Sequence, residues 1–256
     1  MNQNNAGFMN SIPLVTRNLL IINVLVFLAD SLLSKGGGMV NYLGLHYFSS
    51  ELFMPHQIIT CMFMHGDISH LFFNMFAVFM FGRVLETVWG PKKFLLYYML
   101  TGIGASLLQL LVMYLRIQSI EADIPPELLP EILAKVKSEG LSLLMSNRNY
   151  VDSTLGDLNL LINGVMIGAS GAVFGVLVAF GMLFPNAQLM LLFPPIPIKA
   201  KWFVIGYGVL ELSLGLVNRT GDNVAHFAHL GGLLTGVLIL LYWRKKGFFT
   251  NGNILK

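Results

Sequence analysis

The 256-residue chain is 55% hydrophobic and only 11% charged, against about 25% charged residues in a soluble domain, and its mean hydropathy is +0.69. So few charges cannot cover a water-soluble surface, which leaves an all-α polytopic membrane protein embedded in a lipid bilayer. The net charge of +3 comes from basic residues scattered at the ends of apolar runs, so it marks orientation and no nucleic-acid face; the lone cysteine, Cys61, excludes an intrachain disulfide and a cysteine metal cluster.

In chain order, residues 1–13 are Asn-rich with no Lys or Arg before Arg17 and no small-residue cleavage site. The first apolar run is therefore expected to be an uncleaved span rather than a signal peptide. Six spans are expected, at 14–33, 68–89, 94–115, 163–184, 202–217 and 224–243, within one membrane domain covering 1–256. The fifth is short and contains Glu211. An even number of crossings puts both termini on one side. The segments on that side hold Arg17, Arg83, Lys92, Lys93, Lys199, Lys201, Arg244, Lys245, Lys246 and Lys256, whereas the short opposite loops hold only Lys35 and Arg219. This bias predicts cytoplasmic termini, and a bacterial inner membrane suits it.

Two segments on the outer side stand out. Residues 47–55, after the first span, mix aromatic, apolar and polar groups as an interfacial stretch does. Residues 116–162 form an extramembrane insertion with seven acidic and four basic residues. Within it, 127–144 reads as an amphipathic helix, an outer cap or partner surface.

Polar side chains inside apolar spans are costly and point to function. Ser170 lies in Gly168-Ala169-Ser170-Gly171, His229 in Ala228-His229-Leu230-Gly231-Gly232, and His70 and Asn74 lie one helical turn apart. Counted along continuous helices from the expected outer ends of spans two, four and six, Asn74, Ser170 and His229 fall at a common depth of roughly 9–11 Å, with His70 a turn shallower. Gly171-x-x-x-Gly175 and Gly232-x-x-x-Gly236 supply smooth faces for close helix approach. A serine needs an adjacent base to act as a nucleophile, and such proximity allows one. The motif is not the soluble-hydrolase G-x-S-x-G, because residue 172 is Ala.

Taken together, His70-x-x-x-Asn74, Gly168-x-Ser170-Gly171 and His229-x-x-Gly232-x-x-x-Gly236 resemble the motifs of the rhomboid intramembrane serine proteases, and the likeness runs from the first span to the sixth. The resemblance implies a six-helix bundle, a Ser–His dyad with no acidic third member, no metal and no cofactor. It also implies transmembrane protein segments as substrates, cut near the outer face and admitted between spans two and five or past the loop after span five. On it, Ser170 is the nucleophile, His229 the general base, and Asn74 and His70 oxyanion donors with the Ser170 N–H. Gly168, Ala169, Gly171 and His226 then line the site. His226, a turn above His229, is the rival base, and His65 is structural. Glu211 is left outside the site, and Glu86, near Arg83 and the inner face, is expected to make an ordinary structural pair or a water contact.

Other classes fit less well. A non-catalytic relative would lack the serine or the histidine, and both are present. A channel or transporter would carry polar groups across the full membrane depth. A metalloprotease would carry H-E-x-x-H, which is absent, and no carboxylate accompanies the His226/His229 pair in the sequence.

Overall fold

The computed structural model describes residues 11–33, 38–190, 195–217 and 225–248. Val224, the expected start of the sixth span, lies outside these residues, as do Lys35, Arg219 and Lys256. Among the described residues five helices are long and apolar enough to cross a membrane: α1 (Leu14–Leu33), α4 (Ile68–Trp89), α5 (Pro91–Ala122), α9 (Ala200–Val217) and α10 (His226–Lys245). Between them lie the short helices α2 (Gly38–Leu43) and α3 (Gln57–Thr60), then α6 (Leu129–Met145) and α7 (Ser153–Asn163), and finally α8 (Ser170–Leu183). The fold is a helical polytopic bundle, and the chain is an integral membrane protein.

The fourth expected span is the main correction. An apolar helix is expected from 163, but Asn163 ends α7, residues 165–166 form a short strand, and α8 begins only at Ser170. Strand β1 (Leu45–His46) pairs antiparallel with β2 (Val165–Met166), with Leu45 opposite Met166 and His46 opposite Val165. Gly168 has φ +128°, a backbone state that a helix cannot contain and that glycine tolerates. Apolar content alone does not separate this extended stretch from helix. With 14 residues, α8 is ~21 Å long, short of the ~30 Å hydrocarbon thickness.

Two other boundaries shift. Helix α5 runs for 32 residues, seven beyond the expected end at 115, and at ~48 Å is longer than the ~30 Å hydrocarbon thickness. The 116–162 insertion contains the expected amphipathic helix, α6, and a second one, α7. The two are stitched together by Asn159, whose Nδ2 donates to the Gly140 carbonyl at 3.1 Å, and Asn163, whose Nδ2 donates to the Val136 carbonyl at 2.9 Å.

Residues 47–55 are mixed in exposure, with Tyr47 and Ser50 buried and Phe48 exposed, and the chain turns inward after them. Gln57, Cys61, Met62, Met64 and His65 are buried. Gln57 holds the stretch together, accepting from Met54 N–H at 3.1 Å and donating to the Leu52 carbonyl at 2.8 Å. Ser106 of α5 donates to the Ile58 carbonyl at 3.0 Å, so this block is tied to the central helix.

Helices α5, α8 and α10 form the core, and small residues set their spacing. A methyl on Gly232 of α10 would collide with the Gly171 carbonyl of α8, and one on Gly175 would meet Thr101 of α5. The Tyr97 hydroxyl of α5 donates to the Gly175 carbonyl at 2.8 Å. Both small-x-x-x-small patterns thus face neighbouring helices, as their spacing predicts. Glu86 is structural, but its partners are at the start of α1. It accepts from Val15 N–H at 2.8 Å, Thr16 N–H at 2.7 Å and the Thr16 hydroxyl at 2.8 Å, satisfying N–H groups that a helix start leaves open.

Candidate active site

Helices α4, α8 and α10 all begin at the same end of the bundle as the strands β1 and β2, and the polar residues sit in their first two turns. Asp67 caps α4, accepting from His70 N–H at 2.9 Å, which fixes His70 in the first turn and buried Asn74 in the second. Helix α8 starts at Ser170 and its ladder opens with Val173 N–H donating to the Ala169 carbonyl at 3.0 Å. The loop before it is pinned by Gly168 N–H donating to the Cys61 carbonyl at 2.9 Å. His229 lies in the first turn of α10.

The central contact joins two helices. His229 Nε2 lies 2.7 Å from Ser170 Oγ, a short hydrogen-bond distance. Both side chains are half-buried. Phe174, one turn below Ser170, stacks on the His229 ring at 4.4 Å between centroids and 9° between planes. This aromatic neighbour was not among the sequence candidates, although its i+4 spacing from Ser170 is the signal that points to it.

The other candidates gather round this pair. A Cβ at Gly168 would come within 2.7 Å of His70 Nε2 and 3.6 Å of Ser170 Oγ, so His70 presses on the loop that presents the serine. Asn74 Nδ2 is buried and has no hydrogen-bond partner among the described residues. Ala169 is fully buried, and Gly171 abuts Ala105 of α5 and the Ala228 carbonyl of α10. His65 is also buried, with its ring edge-on to His70 at 5.0 Å.

Glu211 of α9, left out of the site on sequence grounds, is brought into it. Its Oε2 lies 2.6 Å from His226 Nδ1 and 2.9 Å from His229 Nδ1. A carboxylate therefore does accompany the two histidines. One donor atom from each of Glu211, His226 and His229 falls within 4.8 Å of the others. Two ligands on one tetrahedral zinc stand about 3.3 Å apart for metal–ligand bonds near 2.0 Å. The 2.6 Å contact is shorter than that and has the spacing of a hydrogen bond.

Comparison with known proteins gives this geometry a family. A model of the Rhomboid domain matches residues 53–118 and 132–246. The chain belongs to the rhomboid family. It is 31% identical over 189 residues to Rhomboid protein 1, mitochondrial, of Saccharomyces cerevisiae, covering 74% of this chain and 42% of that protein. It is 28% identical over 237 residues to RHOMBOID-like protein 12, mitochondrial, of Arabidopsis thaliana, covering 91% and 60%. It is also 25% identical over 179 residues to Rhomboid protease AarA of Providencia stuartii, covering 70% and 52%. This rhomboid chain spans about half the length of the curated relatives it matches. The family match takes in α4, α8 and α10, the three rhomboid helices that carry the candidate residues, and it skips most of the start of the insertion.

Proposed function

We propose that this chain is an intramembrane serine endopeptidase that hydrolyses peptide bonds in or near transmembrane segments of other membrane proteins. The observation that carries the reading is the 2.7 Å contact between Ser170 Oγ and His229 Nε2. Rhomboid membership and the protease named among its relatives support it.

In this reading Ser170 is the nucleophile and His229 the general base. The Ser170 hydroxyl proton passes to His229 Nε2 as Oγ bonds to the scissile carbonyl carbon. The oxyanion so formed is met by Asn74 Nδ2, by His70 and by the Ser170 N–H, which lies at the open N-terminus of α8. An unpartnered buried amide such as Asn74 Nδ2 suits this task, since a donor held ready requires no reorganisation. His229 then gives its proton to the leaving amine as the C–N bond breaks. Water then bonds to the acyl carbon as His229 Nε2 takes one of its protons, and His229 passes that proton to Oγ as the acyl C–O bond breaks and the carboxylic acid leaves. Gly168, Ala169, Gly171 and His226 line this region. No metal or cofactor enters any step.

A helical substrate hides its carbonyls in its own ladder, so the substrate must unwind at the bond to be cut. Gly or Pro near that end lowers the cost of unwinding. We place the chain in the membrane as one domain crossing six times with both termini on one side. The shorter α8 completes its crossing through the extended segment before it. The mitochondrial relatives give no support to a bacterial inner membrane in particular.

The test is covalent labelling. The purified protein in liposomes, treated with a fluorophosphonate, is expected to carry one adduct on Ser170 by peptide mass mapping, and to cut a single-span substrate with Gly near one membrane face. An adduct elsewhere, with Ser170 unmodified in cleaving protein, contradicts the assignment.

A further inference from the structure

The structure assigns to Glu211 a place behind the general base, as the third member of a Ser170–His229–Glu211 relay that His226 helps to hold. This rests on the reading of Ser170 and His229 given above and extends it to a residue on a separate helix.

The placement is built, not incidental. Helix α9 buries only Ala200, Glu211 and Gly215, so Glu211 is its one buried charge-bearing group. An unpaired carboxylate inside a membrane bundle is costly, and the two imidazoles supply its partners. Gly215, one turn on, allows the approach: a Cβ there would lie 3.1 Å from the Phe227 ring and 3.2 Å from His226 Cβ. Along another face, from Lys201 to Leu212, α9 borders an open apolar groove of about 440 Å³ shared with Met182 and Leu233. Glu211 is thus a polar tie between α9 and α10.

The proton inventory fits. For His229 Nε2 to accept the Ser170 proton, the resting imidazole proton must sit on Nδ1. Nδ1 faces Glu211 Oε2 at 2.9 Å, out of line with it, and has no aligned acceptor among the described residues. The same oxygen is aligned with His226 at 2.6 Å. A small turn of the carboxylate brings it onto the His229 N–H as the imidazolium forms. Glu211 then stabilises that charge without taking up the proton. Glu211 touches no substrate atom, so it is a positioning residue, and the site is complete only while α9 is seated.

The experiment compares wild type, Ser170→Ala, Glu211→Gln and Glu211→Asp in liposomes, reading kcat, KM, the rate of fluorophosphonate labelling of Ser170, and the melting temperature. Glu211→Gln is expected to lower kcat and labelling together, by on the order of 10²–10⁴, the upper figure being the cost of the acid-to-amide change in a soluble triad. KM and melting temperature stay near wild type, and Glu211→Asp restores part of the loss. Wild-type kcat and labelling in Glu211→Gln overturn the inference, as does a loss that tracks melting temperature alone. If Glu211→Gln does not fold, nitrogen-15 spectra of histidine-labelled wild type decide: a proton on Nδ1 of His229 is expected, and one on Nε2 overturns it. Cleavage that survives Ser170→Ala would remove the underlying Ser–His reading and the relay with it. Cleavage that needs Ser170 and His229 but not Glu211 would remove the relay alone.

Discussion

Gly232 of α10 lies against the carbonyl oxygen of Gly171 in α8, with no room for a methyl group between them. The neighbour is backbone, which cannot swing aside, and Gly171 adjoins Ser170. Gly232→Ala is therefore expected to push α8 and α10 apart, destabilising the protein by ~1–3 kcal/mol and lowering cleavage more than melting temperature alone explains. A thermal melt beside a cleavage assay checks it. A variant as stable and active as wild type would show that the helices are not closely apposed there.

Glu86 joins α4 to the start of α1 through three hydrogen bonds. Glu86→Gln keeps the shape but loses the charge that strengthens these bonds. It is expected to cost about 1.5–3 kcal/mol and to lower the melting temperature while leaving KM unchanged. The effect on stability, far from Ser170, separates this carboxylate from Glu211.

Asn74 is expected to matter for rate and not for folding. Its Nδ2 has no partner to lose among the described residues, so Asn74→Ala leaves the melting temperature nearly unchanged. The kcat is expected to fall on the order of 10²–10³, the cost of losing one oxyanion donor. A large drop in stability with unchanged kcat would assign Asn74 to helix packing instead.

His65 makes the loop before α4 sensitive to acid. Burial, reinforced by the neighbouring His70, pushes His65 from 6.5 down to about 4, so the folded protein holds it neutral. The unfolded chain binds that proton from about pH 6.5 downward. The stability is therefore full above pH 6.5 and is lost as the pH falls toward 4, by up to ~1.4 kcal/mol for each pH unit. Melting temperatures at pH 7 and pH 5 are expected to differ by less in His65→Gln than in wild type.

Much of this was legible in the residues. Hydropathy located α1, α4, α9 and α10 to within a few positions, because a bilayer demands long apolar helices. Ser170 and His229 stood out as polar groups among glycines. The start of α8 was not legible, since Val165, Met166 and Ile167 are as apolar as the helix that follows and only the Gly168 backbone state separates them. Ser170 and His229 do meet, at 2.7 Å, but the chain reaches Ser170 by an extended stretch and not by the continuous helix along which the depth was counted. The partners of Glu211 were hidden by helix rotation, which sequence does not give. Depth held a clue: Glu211 sits ~9 Å from the end of α9 at Val217, the level estimated for Ser170 and His229.

The central claim is that Ser170 and His229 together cut the peptide bond. The most direct measurement is cleavage of a helical transmembrane substrate in liposomes by wild type, Ser170→Ala, His229→Ala and His226→Ala, each checked for folding by its melting temperature. The account predicts that the first two substitutions abolish cleavage and that His226→Ala reduces it several-fold but leaves it measurable. Cleavage that persists in Ser170→Ala, or that is lost with His226→Ala and kept with His229→Ala, would contradict it.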